Sequence, residues 1–150
     1  MDWDLVLASA HHLAVFGLVA LFAIEFGLVR TGLSGANIKR LAGIDGAYGG
    51  VAGLVIVIGV LRVFFGAVDE SYYWGNHAFW GKMAAFLVMG LLTIPPTMAI
   101  RRWLAAANAE PAYAPPASEI AASRRFLHLQ GGVLVLIPIF AAAMARGYGS

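Results

Sequence analysis

The fold is decided by the stretch from Leu7 to Arg30, which reads LASAHHLAVFGLVALFAIEFGLVR. It is longer than the roughly 20 apolar residues that a membrane-spanning helix needs. Only three ionisable residues interrupt it before its end, His11 and His12 near one end and Glu25 near the other. Because ionisable groups are costly at membrane depth, each of the three is a candidate functional residue.

The composition extends this interpretation to the whole chain. Of 150 residues, 61% are hydrophobic and only 12% are charged, whereas a soluble domain carries about 25% charged residues. Lipid is therefore the expected solvent, and the length suits one domain. The absence of cysteine excludes disulfides and thiolate metal ligands, and a net charge of only +2 argues against nucleic acid as a partner.

Four apolar segments predict an all-α integral membrane protein with a four-helix bundle, since the backbone must pair its polar groups internally in lipid. The predicted helices cover about residues 3–30, 45–65, 76–104 and 119–146 of a single transmembrane domain, 1–150, with a flexible Ala/Pro linker at 105–118. Ser34 is predicted to cap a separate short interfacial helix that contains Ile38 and Leu41.

Charge in the connections predicts the orientation. The first and third connections hold basic residues, namely Lys39, Arg40, Arg101, Arg102, Arg124 and Arg125. The second connection holds Asp69 and Glu70 and no basic residue. By the positive-inside rule the first and third connections face the cytoplasm and both termini lie outside, in a bacterial inner membrane.

Helix geometry places most of the polar residues within the spans in two layers. The outer layer contains His11, His12, Arg62 and Lys82, with His77 nearer the outer edge, and the inner layer contains Glu25, Tyr48, Thr97 and His128. At 100° per residue, His11 and Glu25 fall on one face of the first helix, whereas His12 is turned about 100° away. The two histidines therefore cannot both face the same point.

The outer layer allows three interpretations. The first is a site for haem b, with His11 or His12 as axial ligand and Arg62 and Lys82 pairing with the propionates. The other axial ligand stays open, since Lys82 matches the depth best and His77 lies towards the edge. The second is a metal or proton site at His11 and His12. The third is a set of buried polar residues that tie the helices together.

The inner layer centres on Glu25, because a carboxyl group in the bilayer must be protonated or paired. Its expected partners are His128, Arg124 or Arg125. A salt bridge near the membrane edge is one interpretation. A proton relay that includes Tyr48 is the other.

Two further patterns concern helix packing. Gly46, Gly49, Gly50 and Gly53 form small-xxx-small pairs that predict close approach between helices, with contact to a flat cofactor as the alternative. Pro96 lacks an amide donor and is predicted to kink or thin the third span.

Several motifs support a resemblance over nearly the whole chain. HHLAVFG, DGAYGG, GVLRVFFG, YYWGNHAFWGKM and IPPT resemble a bacterial inner-membrane family, domain of unknown function 2214, which carries no assigned activity. A more distant resemblance is to HemJ-type protoporphyrinogen oxidases and CopD-like membrane bundles. His11 or His12 matches the histidine on their first helix, and Trp80 with Lys82 matches their tryptophan-plus-lysine pattern. That resemblance implies haem b binding and porphyrin oxidation.

The sequence thus predicts a haem-b-binding membrane protein in electron transfer or haem-linked oxidation, with a quinone or a redox protein as partner. Whether it is an enzyme stays open. The alternatives are a small proton- or ion-coupled transporter that uses Glu25 and His128, and an accessory subunit of a larger membrane complex. A homo-oligomer is a further expectation.

Overall fold

The computed structural model describes residues 2–149 and confirms the predicted all-helical architecture. Its helices are α1 (Trp3–Leu28), α2 (Gly35–Phe65), α3 (Glu70–Gly75), α4 (His77–Ala109) and α5 (Ala117–Ala145). The four long helices, α1, α2, α4 and α5, are long and apolar enough to cross a membrane. The short α3 lies in the connection between α2 and α4, where hydrogen bonds from Ser71 hold the pKa of Asp69 below its usual value.

Helix α2 begins ten residues before the predicted start of the second span. Ser34 precedes it without a side-chain cap bond, and the segment predicted as a separate interfacial helix forms its first turns. Ile38 and Leu41 are fully buried in an apolar cluster with Trp103 and Leu127. Because this packing anchors the first turns to α4 and α5, the helix continues without a break and carries Asp45 into the bundle.

The linker between α4 and α5 is shorter than predicted. Helix α4 runs on to Ala109 and α5 starts at Ala117, so only residues 110–116 connect them. Alanine is the strongest helix former, which explains why the alanine-rich run 105–109 extends α4.

At one end of the bundle, here called the terminal end, the start of α1 and the segment after α5 meet the α2–α4 connection. The Asp4 carboxylate accepts a hydrogen bond from the Ala67 amide at 3.1 Å. The His77 amide donates to the Gly149 carbonyl at 2.7 Å. The first bond joins α1 to the α2–α4 connection, and the second joins the start of α4 to the segment that follows α5.

The opposite end, here called the basic end, carries most of the basic residues and is closed by Arg124 of α5. Its Nη1 donates to the carbonyls of Val29 at 2.6 Å and Phe26 at 3.3 Å, which α1 leaves unpaired at its C-terminus. The guanidinium also lies 4.8 Å from the centre of the Phe26 ring. One side chain therefore caps α1 and joins it to α5.

The glycine stripe of α2 does not pack within the chain. Gly46, Gly49, Gly50 and Gly53 are exposed, and no neighbouring atom lies within 4 Å of the position that a Cβ would take at any of them. The close helix approach predicted for this stripe is therefore not made inside the described bundle. Gly59 and Gly81 make such approaches instead, to His11 and Phe140 respectively.

The cap formed by Arg124 leads to a stability prediction. Arg124→Met removes the donor for two carbonyls and should lower the free energy of unfolding by about 2 kcal/mol, as expected for hydrogen bonds from a charged group. Unfolding by denaturing detergent in mixed micelles measures the change. Arg125→Met, at the exposed neighbouring position, is the matched control. Equal effects of the two substitutions would contradict the capping role.

Candidate functional site

A buried polar core lies between two apolar clusters and receives side chains from all four long helices. Its members are Glu25 of α1, Asp45 and Tyr48 of α2, Thr93 and Thr97 of α4, and Gln130 of α5. The apolar cluster towards the basic end contains Ile38 and Trp103, and the one towards the middle of the bundle contains Leu18 and Met89. Polar groups so enclosed must find partners inside the protein.

Gln130 is the hub of this core. Its Oε1 accepts from the Tyr48 hydroxyl at 3.3 Å and lies 3.2 Å from the Thr93 hydroxyl. Its Nε2 donates to the carbonyl of Leu92 at 3.1 Å. That carbonyl stands four residues before Pro96, which has no amide hydrogen to complete the helical bond. The proline therefore frees an acceptor in α4, and Gln130 of α5 occupies it.

Two carboxyl groups share the other side of the core. Glu25 is 1% exposed and Asp45 is 8% exposed. The Thr97 hydroxyl donates to Oδ1 of Asp45 at 2.6 Å, whereas Oε2 of Glu25 is buried without a hydrogen-bond partner. The two acids are close enough to interact electrostatically. Between residues 2 and 149 neither forms an ion pair within 4 Å, since the pair found there joins Arg102 and Glu119.

The expected partners of Glu25 are placed elsewhere. His128 is exposed, with Nδ1 2.7 Å from the carbonyl of Arg124. Arg124 itself caps α1, and Arg125 is exposed. Tyr48 is the one predicted companion that lies close enough to Glu25 for an electrostatic interaction. The structure thus brings Glu25 and Tyr48 together and leaves His128 outside the core.

A second group of polar residues, here called the cationic cluster, lies towards the terminal end and consists of His11, Arg62 and Lys82. The three interact electrostatically with one another. The His11 ring lies against Gly59, where an added Cβ would be 3.5 Å from Cε1. Nδ1 of His11 and Nε of Arg62 are buried without hydrogen-bond partners. Lys82 places its ammonium 5.4 Å from the centre of the Phe79 ring.

The remaining histidines do not converge on the cationic cluster. His12 is exposed, and its Nδ1 lies 2.7 Å from the carbonyl of Ala8. Its ring is nearly perpendicular to that of His11, with centroids 6.4 Å apart. His77 lies at the terminal end, with Nδ1 2.9 Å from the carbonyl of Gly149. Within residues 2–149 no three His, Asp or Glu side chains are placed to hold a metal ion together.

Asp45 and Gln130 belong to the core although the sequence did not single them out. Asp45 stood at the predicted start of a span, where a charge is expected to meet water, whereas α2 begins ten residues earlier. Gln130 carries no charge, so the high cost of ionisable groups at membrane depth did not identify it as a candidate. The available signals were the apolar run before Asp45 and the fact that Gln130 is the single glutamine of the chain.

Four long apolar helices around a buried polar core define an integral membrane protein of the helical-bundle class. The chain belongs to the family described as predicted membrane protein (DUF2214), whose model matches residues 3–149. This confirms the resemblance to that family. Neither the curated proteins nor the solved structures compared with the chain gave a match. The more distant resemblance to HemJ-type and CopD-like proteins stays a prediction.

The hub role of Gln130 gives a second stability prediction. Gln130→Leu leaves the Leu92 carbonyl without a partner and removes one acceptor of the Tyr48 hydroxyl, so it should cost about 1–2 kcal/mol of unfolding free energy. The same substitution should cost less in a Pro96→Ala background, because that change restores an amide donor for Leu92. Leu129→Ala, at the exposed preceding position, controls for lost apolar contact. A penalty independent of Pro96 would contradict the proposed link.

Proposed function

We propose that the protein translocates protons across the membrane, with the carboxyl groups of Glu25 and Asp45 as the proton-carrying site. The observation that carries this proposal is the buried, unpartnered Oε2 of Glu25 beside a second buried acid. A carboxyl group at membrane depth is protonated or paired. Since Glu25 has no ion-pair partner between residues 2 and 149, a proton is the simplest neutralising species.

The second acid makes this proton exchangeable rather than fixed. Two carboxylates that interact in a low-dielectric site repel one another, so a state with at least one of the two protonated is favoured. Asp45 already has a donor in the Thr97 hydroxyl, which stabilises its ionised form. Glu25 is therefore the group proposed to hold the proton, and Asp45 the group proposed to receive or return it.

The acid pair of Glu25 and Asp45 is more accessible from the basic end of the bundle than from the terminal end. Asp45 interacts electrostatically with Arg101, an exposed residue at the basic end. Towards the terminal end, Leu18, Val55 and Met89 form a buried apolar layer beyond the polar core. Because protons do not cross such a layer unaided, the proposed transport depends on a rearrangement of the helices and is slow compared with an open channel.

Proteoliposomes test this function directly. Under a potassium diffusion potential, vesicles that contain the protein should take up protons faster than protein-free vesicles, with a pH-sensitive dye as the readout. Glu25→Gln and Asp45→Asn should each reduce the excess rate at least tenfold, because each removes one exchangeable carboxyl group. Glu110→Gln changes an exposed acid outside the core and should keep the wild-type rate.

The state of Glu25 can be measured independently of transport. Infrared spectra of the protein in lipid should contain a protonated-carboxyl band that shifts in heavy water and weakens in Glu25→Gln, while Glu110→Gln leaves it unchanged. Wild-type uptake no faster than that of protein-free vesicles would refute proton translocation by this chain. Absence of the carboxyl band would refute the assignment of the proton to Glu25.

Haem b is a second candidate, supported by the unpartnered Nδ1 of His11 beside Arg62 and Lys82. These residues offer one axial nitrogen and two cations for propionates. They offer no second imidazole, because His12 is exposed to the outside of the bundle and His77 lies against the C-terminal segment. The described residues therefore do not fit a haem with two histidine ligands.

Absorption spectra decide this second candidate. If haem b binds at His11, protein purified after haem supplementation should show a Soret band that His11→Ala abolishes. His12→Ala is the matched control and should leave the band unchanged, since His12 is turned away from the cluster. A protein without a Soret band, or a band that survives His11→Ala, would reject haem binding at this site.

A further inference from the structure

We propose that the cationic cluster of His11, Arg62 and Lys82 binds an oxyanion of the phosphate class. This site is separate from the acid pair and does not depend on the proposed proton function. The three side chains come from α1, α2 and α4, so the site exists only when these helices are assembled.

The first argument is an excess of positive charge without a counterion. Arg62 and Lys82 are both partly buried within spans and repel one another. Within residues 2–149, neither the Arg62 guanidinium nor the Lys82 ammonium forms an ion pair with a carboxylate within 4 Å. Uncompensated charge in an apolar environment is strongly unfavourable. A bound anion is the species that removes this cost.

The second argument is that two buried nitrogens of the cluster lack hydrogen-bond partners. Nδ1 of His11 and Nε of Arg62 are buried and have no hydrogen-bond partner. The nearby acids of the terminal end already have partners, since Asp4 accepts from the Ala67 amide and Asp69 from Ser71. A bound oxyanion would accept from Nε–H of Arg62, and from Nδ1 of His11 in the tautomer that carries its proton there.

The chemistry of the donors favours phosphate. A guanidinium group binds phosphate oxygens in pairs through its planar fork, and an ammonium group adds a point charge. The imidazole of His11 adds one further nitrogen that can take part in a hydrogen bond. Three donors of this kind match an oxyanion with several oxygens better than a halide ion, which has no separate oxygens to address.

Depth supports a phosphate from the membrane or the adjoining water. Arg62 lies three residues before the end of α2, and Lys82 lies five residues after the start of α4. These positions are about 5–8 Å from the helix ends, close to the boundary between hydrocarbon and headgroups. Exposed Trp74 and Trp80 flank this level, as aromatic residues do at membrane interfaces. A lipid headgroup and free inorganic phosphate share the chemistry that this site would recognise.

Binding measurements separate the two sources. In the lipid arm, native mass spectrometry of the detergent-purified protein should show retained phosphatidylglycerol in preference to a galactolipid that lacks phosphate. In the soluble arm, titration calorimetry with inorganic phosphate should show saturable binding. Binding in either arm supports the oxyanion site and identifies its source.

Variants connect the binding to the cluster. Arg62→Gln and Lys82→Gln should each weaken the binding at least tenfold, and Arg62→Lys should give an intermediate loss because it keeps the charge but not the planar fork. Arg146→Gln alters an exposed arginine at the same end of the bundle and should bind as the wild type does. If Arg62→Gln does not fold, Lys82→Gln and Arg62→Lys still test the assignment.

Three outcomes would overturn the proposal. The first is no phosphate binding in either arm, where equal retention of the galactolipid and the phospholipid counts as no binding in the lipid arm. The second is binding that the cluster variants leave unchanged. The third is a Soret band that depends on His11, which would replace phosphate by a haem carboxylate as the bound anion.

Discussion

The structure depends on one constraint, which is that hydrocarbon offers no partner to a polar group. The clearest response is the bond from Gln130 to the carbonyl of Leu92. Pro96 would otherwise leave that carbonyl unpaired inside the bundle. The same amide also accepts from Tyr48, so a defect in one helix is repaired by a contact that holds three helices together. The contacts that satisfy these polar groups are therefore also the contacts that hold the helices together.

Against this background the groups without partners become informative. Glu25 of the acid pair and His11 and Arg62 of the cationic cluster each retain a buried atom that no described residue satisfies. Within residues 2–149, buried side-chain atoms without a partner occur at these two levels only, although even the carbonyl freed by Pro96 has a donor. Each level has a net sign of charge, negative around Glu25 and positive around Arg62. Opposite signs predict different ligands, a proton at the first and an anion at the second.

The fold could be predicted from sequence because long apolar runs admit few structures in lipid. The site could be predicted only in part, since depth follows from counting residues but rotation of a helix does not. Gln130 and His128 lie two residues apart on α5, about 200° around its axis. The buried stripe of α5 runs through Ile120, Ser123, Leu127 and Gln130, so the glutamine enters the core and the histidine faces outward. Only the packing of α5 against its neighbours decides between them.

Helix α1 connects the two levels physically. His11 and Glu25 share one face of this helix, about 21 Å apart along its axis. A rotation of α1 would therefore withdraw both groups from their clusters at once. The hydrogen bond from Arg124 to the carbonyl of Val29 opposes such a rotation at the C-terminal end of α1. The buried layer around Leu18 and Met89 lies between the two groups and must repack in any such motion. The placement of both His11 and Glu25 thus depends on the packing of a single helix.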